Sequence, residues 1–342
     1  MTDRKPSSRA TGRVTLQDVA AQAGVSPITA SRALRGMATV APELVARVQA
    51  AVQRLGYVPD PAARALASGS RSAQVVVLLP MLAGHGWPEL FEALHGALWA
   101  AGYQTLIGVT HGDAATEERL LRACLLQRPA GIVVAGAGRG DVSEALLAAS
   151  GAPCVRLTEA SSDQRVHSVG VSHCDAGDAL ARHLVERGRK RIALVASERD
   201  PRMPAFVEGY RRCLRNAELY DARREVLLDA PDTVAAGAEV FEELRQRQRA
   251  TDGIVYGSDA LAQGGLLAAL RLNVRVPLQI AVVGLGDADG SEQSVPPLTS
   301  AHVPYAEIGT EAAHLLLALM RGEQPAVQAV NVGFELKVRE SS

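Results

Sequence analysis

The sequence predicts an α/β protein built from a small helical head and a larger body of doubly wound parallel sheets. Residues 14–57 show helical apolar spacing, interrupted by capping residues and stop glycines. From Val75 onward, short apolar runs alternate with helical segments, the pattern of parallel sheets with helices on both faces. Charge divides the same way. Residues 1–71 hold ten Lys/Arg against four Asp/Glu, a net of +6, which leaves −7 on the remainder of a chain whose total is −1.

In the head, Thr15 is placed to cap a first helix, with Asp18 returning the bond in a capping box. Leu16, Val19, Ala20 and Ala23 share one face, and Gly24 stops the helix where a left-handed residue is needed. Ser26 caps a second helix with Pro27 at its first position. Ala30, Ala33 and Leu34 then face the first helix. Pro27, Ile28, Thr29, Ser31, Arg32 and Arg35 are left outward, with side chains suited to base edges and phosphates. An ordinary helical hairpin would read similarly, but it would not need two outward arginines. A third helix is predicted over Val40–Tyr57, with Val45, Val48, Val52 and Leu55 apolar and Gly56 as its stop.

A linker comes next, Val58-Pro-Asp-Pro-Ala-Ala-Arg-Ala-Leu-Ala-Ser-Gly69. The run Val-Thr-Leu-Gln-Asp-Val-Ala, Gly-Val-Ser and Ser-Arg-Ala-Leu, then Leu-Gly-Tyr-Val-Pro-Asp-Pro-Ala-Ala-Arg-Ala-Leu, resembles the headpiece and hinge of the lactose/galactose repressor family. The resemblance implies a helix-turn-helix headpiece over 1–58, a hinge over 59–71 and a body over 72–342. It also implies double-stranded operator DNA as partner. Thr15, Pro27, Ile28, Thr29, Ser31, Arg32, Arg35, Thr39 and Tyr57 are the expected headpiece contacts, with Ala63 and Leu66 from the hinge. Asp60 can cap a hinge helix of about eight residues, too short to be stable alone. In the family two such helices pair over the minor groove and insert a leucine, here matched by Leu66, into a base step. An ordinary linker leucine packed on the body is the alternative.

Hydrophobic residues make up 47% and charged residues 21% of the 342, the balance of a water-soluble globular chain. No run of about 18 apolar residues suggests a membrane helix. The N-terminus lacks the apolar core of a secretion signal, so a cytoplasmic location is expected. Cys124, Cys154, Cys174 and Cys213 form no CxxC pair and the eight histidines show no metal-ligand spacing. Free thiols, no metal and no cofactor are expected. Gly136-Ala-Gly-Arg-Gly140 and Gly284-Leu-Gly-Asp-Ala-Asp-Gly290 do not complete a dinucleotide fingerprint, and no nucleophile, base and orienter set stands out, so an enzyme is not expected.

The body resembles the two-lobed, periplasmic-binding-protein-like core of the same family. That implies a first lobe of about 72–172 and 300–324, a second of about 173–299 and 325–342, and an effector cleft between them. Ligands sit beyond the carboxyl ends of strands. The candidates there are His85, Trp87, His111, Asp175, Arg202, Asp259 and Asp287. Asp259 matches the family's effector-binding acid by resemblance, and Asp175 matches another contact less clearly. Trp87 can stack on a sugar face or fill the core. Many relatives carry an Arg where this chain has Phe206, and Arg202, one turn earlier, can substitute. Val-Val-Leu-Leu-Pro-Met-Leu, Gly-Tyr-Gln-Thr-Leu and Glu-Glu-Arg-Leu-Leu look most like the branch controlling gluconate or ketogluconate use, and a sugar acid suits Arg202. The expected protein is a homodimeric repressor with a sugar or sugar-acid effector, since no heptad extension follows Phe334. A corepressor-driven regulator of another carbohydrate pathway is the alternative reading, with a sugar-binding protein or an enzyme on the same body fold behind it.

Overall fold

The computed structural model describes residues 14–37, 39–58, 71–82, 84, 86–136, 140–159 and 166–342. The expected hinge, with Asp60, Ala63 and Leu66, lies outside them, as does His85. The chain forms two units, residues 1–70 and 71–342.

In the first unit, α1 (Leu16–Ala23), α2 (Pro27–Leu34) and α3 (Pro42–Leu55) surround a core of Val19, Ala20, Ala23, Ala30, Ala33, Val48 and Ala51. The caps form as expected. Thr15 N and Oγ1 each donate to Asp18 Oδ2 at 2.8 Å, and Gly24 ends α1 at φ 64°. Thr29 N donates to Ser26 Oγ at 3.1 Å. The third helix begins at Pro42 rather than Val40, because proline's fixed φ and missing N–H suit the first helical turn. Arg47 on α3 donates to Ala23 O at 2.5 Å, satisfying a carbonyl at the end of α1.

The second unit holds two six-stranded sheets. The first contains β1 (Gln74–Leu79), β2 (Gln104–Val109), β3 (Gly131–Ala135), β4 (Cys154–Glu159), β5 (Ser168–Val171) and β11 (Ala329–Asn331), all parallel, in the order β11-β5-β4-β3-β1-β2. The second contains β6 (Ile192–Ser197), β7 (Glu225–Leu228), β8 (Gly253–Tyr256), β9 (Ala281–Gly286), β10 (Thr299–His302) and β12 (Glu335–Lys337), in the order β12-β10-β9-β8-β6-β7. Among these strands only β12 runs antiparallel. Val75–Leu79 and Ile192–Ser197 are buried throughout, as strands covered on both faces must be.

Helices α4 (Trp87–Ala100), α5 (Ala114–Leu125), α6 (Asp141–Ser150) and α11 (Tyr305–Met320) flank the first sheet. Helices α7 (His173–Glu186), α8 (Met203–Asn216), α9 (Val234–Arg247) and α10 (Asp259–Arg271) flank the second. The chain therefore crosses between lobes after β5, after β10 and after β11. This differs from the expected boundaries in two places. Residues 300–302, expected in the first lobe, pair with β9 in the second sheet, and Ala329–Asn331, expected in the second lobe, pairs with β5 in the first. Each lobe is thus completed by chain that has already visited the other.

Candidate functional site

On the head, α2 presents the outward set. Ile28 is 64% exposed, and Pro27, Arg32 and Arg35 are exposed, while Thr29 and Ser31 are half-buried. Thr29 Oγ1 lies 2.9 Å from Ser26 Oγ, and Arg35 Nε donates to Ser31 O at 3.3 Å. Thr15 and Thr39 are exposed, and Tyr57 packs half-buried against the three-helix core. An apolar side chain at the amino end of a helix, followed by two exposed guanidinium groups, is chemically suited to a thymine methyl and to guanine or phosphate acceptors on one face.

In the body, the strand ends of the two lobes meet. A methyl group placed on Gly136, after β3, would lie 3.8 Å from the Pro201 side chain, and one on Gly112, after β2, would lie 3.8 Å from the Arg199 carbonyl. Behind this contact sits Arg202. Its Nε donates to Asp200 Oδ1 and Oδ2 at 2.9 and 3.0 Å, its Nη2 to Asp200 Oδ2 at 2.6 Å, and its Nη1 to the Tyr305 hydroxyl at 2.8 Å. The guanidinium carbon lies 5.1 Å from the Trp87 ring centre and 5.8 Å from that of Tyr305. Only 9% of Arg202 and 3% of Asp200 is exposed. Burial works against both charges, yet Asp200 holds Arg202 above its ordinary pKa, and Arg202 holds Asp200 below its own.

Three buried polar atoms in this neighbourhood have no hydrogen-bond partner among the described residues: Trp87 Nε1, His173 Nε2 and Asp232 Oδ1. His173 Nδ1 is engaged with Glu159 Oε2 at 2.7 Å, and His173 acts electrostatically on Asp200. Burial, and then the charge of Asp200, push Asp232 up to about 6, against the opposing pull of Arg202 and a hydrogen bond from Ser258. Each unpartnered buried polar atom costs about 1–3 kcal/mol. Two ring nitrogens and a carboxyl oxygen left unsatisfied around a stacked arginine suit a ligand rich in hydroxyl and carboxylate groups.

Trp87 and Arg202 lie against each other at the strand ends, and Trp87 also fills the core. His111 stands exposed after β2 with φ 55°. Three expected contacts are differently employed. Asp175 points to Arg212 on α8, 2.9 Å away; His173, two residues earlier, is the α7 residue that reaches the cluster. Asp259 has no exposed surface. Its Oδ2 accepts from Ala288 N and Ser291 Oγ and its Oδ1 from Ser300 Oγ, all at 2.7 Å, so its carboxylate ties α10 to the β9 and β10 strand ends. Asp287, at φ 58°, is held by Arg339 at 2.7 Å, and its backbone N donates to Ser300 Oγ. Phe206, on the inner face of α8, is wholly buried in the core. Sequence reasoning missed Asp200, His173, Asp232 and Tyr305; the tripeptide Asp200-Pro-Arg202 was the available local signal for the first.

Asp259→Ala should accordingly destabilise the body, by about 3 kcal/mol or more, because three donors lose a buried acceptor. Urea denaturation measures it. A loss below about 0.5 kcal/mol, the range of an uninvolved surface change, would return Asp259 to the role of a ligand contact.

The family model for bacterial regulatory proteins of the lacI family matches residues 15–60, and a periplasmic binding protein-like domain matches residues 181–342. The chain is 45% identical to the HTH-type transcriptional regulator GntR of Pseudomonas aeruginosa, over 100% of this chain and 99% of that one. It is 31% identical to the HTH-type transcriptional regulator CelR of Thermobifida fusca, over 96% and 98%. Among solved structures, the transcription regulator GntR from Chromobacterium violaceum matches 79% of this chain and 99% of its own at 36% identity, with a TM-score of 0.76. A LacI family regulator from Silicibacter pomeroyi matches 96% and 99% at 29% identity and a TM-score of 0.88. The chain belongs to the lacI family of bacterial regulatory proteins, and it is a DNA-binding transcriptional regulator of the branch that includes the GntR proteins. These relatives are regulators rather than enzymes.

Proposed function

We propose that this protein is a cytoplasmic, homodimeric repressor without catalytic activity, which binds a pseudopalindromic operator and releases it when a sugar acid, gluconate or a ketogluconate, occupies the body cleft. The observation that carries the effector class is Arg202, a buried guanidinium stacked between Trp87 and Tyr305 and surrounded by unsatisfied polar atoms. A carboxylate is the natural partner for its remaining donors, and the unsatisfied atoms suit hydroxyls. Two α2 faces, one per subunit, would read the half-sites.

The test is a fluorescence-anisotropy titration on a palindrome from the gene's own upstream region, with gluconate, 2-ketogluconate and neutral sugars added in turn. A sugar acid should weaken operator affinity by about 5- to 150-fold, the usual range of allosteric coupling. Release by a neutral sugar alone would overturn the acid assignment.

A further inference from the structure

If the cleft takes a sugar acid, as proposed, the charges around Arg202 constrain how that acid can bind. A guanidinium has five N–H donors. Asp200 and Tyr305 engage its Nε, Nη2 and Nη1, which leaves one N–H on each terminal nitrogen for a ligand. A carboxylate seated there becomes the third carboxyl group around one cation, beside Asp200 and Asp232.

The other charged neighbours do not supply the missing positive charge. Arg199, on the segment leading to Arg202, is paired with Asp229 at 3.0 Å. His173 on α7 faces Glu159 at the end of β4. Arg339 is taken by Asp287, Asp259 is buried among its own donors, and Tyr305 and Ser258 are neutral. Carboxylates crowded into one buried site do not all stay ionised. Of the two protein carboxyls, Asp200 is locked to Arg202 by three hydrogen bonds, whereas Asp232 keeps a buried oxygen that accepts nothing from the described residues.

We propose that Asp232 is a specificity-determining residue that takes up one proton from solvent when a sugar-acid anion binds, and in that form donates its O–H to the anion. The anion and one proton enter together, so the charge of the site does not change. Burial and Asp200 already hold this carboxyl near 6, and a further anion has only to push it in the same direction. Above that range affinity for the anion should fall as pH rises, approaching tenfold per pH unit for as long as the complex keeps the proton that the free protein has lost. Below about 6 the free protein is already protonated at Asp232, and the dependence should flatten.

The experiment is calorimetric titration of the full chain with sodium gluconate between pH 6 and 8, and at one pH in phosphate and in Tris, whose ionisation heats differ. Affinity should tighten by about tenfold or more from pH 8 to 6, and the buffer-dependent heat should report uptake of most of one proton. Sorbitol, the neutral polyol, should show no such slope. In Asp232→Asn the slope should vanish and gluconate should bind more tightly than to wild type at pH 8. Gluconate binding with a flat profile overturns the proton coupling alone, whereas no binding at any pH overturns the sugar-acid reading together with it. A slope that survives in Asp232→Asn but is lost in His173→Gln moves the proton to the imidazole and overturns the assignment. If Asp232→Asn does not fold, the buffer pair on the wild-type protein still decides whether a proton is taken up.

Discussion

Gly209→Ala should cost the body about 3 kcal/mol and lower its thermal midpoint by several degrees. A methyl group at this position would lie 1.8 Å from the Cys174 carbonyl oxygen and 2.9 Å from Asp178 N, on the facing helix. Both are backbone atoms, so no rotamer relieves the clash, and α7 and α8 must separate. A methyl group on Gly177 would in turn lie 2.1 Å from the Phe206 carbonyl oxygen, so the two helices approach closely through both glycines. Overpacking a tight interior costs about 1–3 kcal/mol, at the upper end where neighbours cannot yield. For a unit of this size each kcal/mol shifts the midpoint by about 2–4 °C. Gly96→Ala gives the opposite sign for contrast. Gly96 lies exposed inside α4 with nothing within 4 Å of an added methyl, so alanine's helix preference should stabilise by about 0.5–1 kcal/mol. Calorimetric melting of the three proteins checks both; a Gly209→Ala midpoint within a degree of wild type would mean that the helices do not touch there.

The head was legible because its signals are local. A capping box, a serine cap before proline and two stop glycines each act within four residues, and the structure shows them closed. The buried strands of the body were legible for a related reason: sheets covered on both faces need uninterrupted apolar runs, and Val75–Leu79 and Ile192–Val195 are such runs. Strands without such runs leave no comparable signal. β10 is buried, but Thr299 and Ser300 spend their hydroxyls on Ser342 and Asp259, while β11 and β12 are three-residue pieces at sheet edges. The cluster around Arg202 was half legible. An arginine after β6 and a tryptophan at the start of α4 could be picked out from their strand-end positions. Tyr305, His173 and Asp232 arrive from segments far apart in the chain, and only the three-crossing topology brings them together. Asp259 misled because an acid at a helix start reads the same whether it faces a ligand or, as here, three buried donors.

Arg202→Met should abolish release of operator by gluconate and weaken gluconate binding by more than about a hundredfold, because it removes the cation that a carboxylate requires. It should also destabilise the body, by about 3–5 kcal/mol, since Asp200 is left buried without its partner. The double variant Asp200→Asn/Arg202→Met separates the two effects: with neither charge present, most of the stability should return while the gluconate response stays lost. Acidity supplies a further check. In the wild type Asp200 is held below its ordinary pKa, so it contributes stability above the unfolded carboxyl's pKa that is lost as pH falls through the folded value. In Arg202→Met the same buried carboxyl, unpaired, prefers its proton, so lowering the pH relieves the variant while it weakens the wild type. The stability gap should narrow from pH 8 toward pH 4, measured by urea denaturation. A gap that stays constant across that range would mean that the Asp200 and Arg202 charges do not support one another. A double variant that still releases operator with gluconate would mean that the acid is read somewhere else.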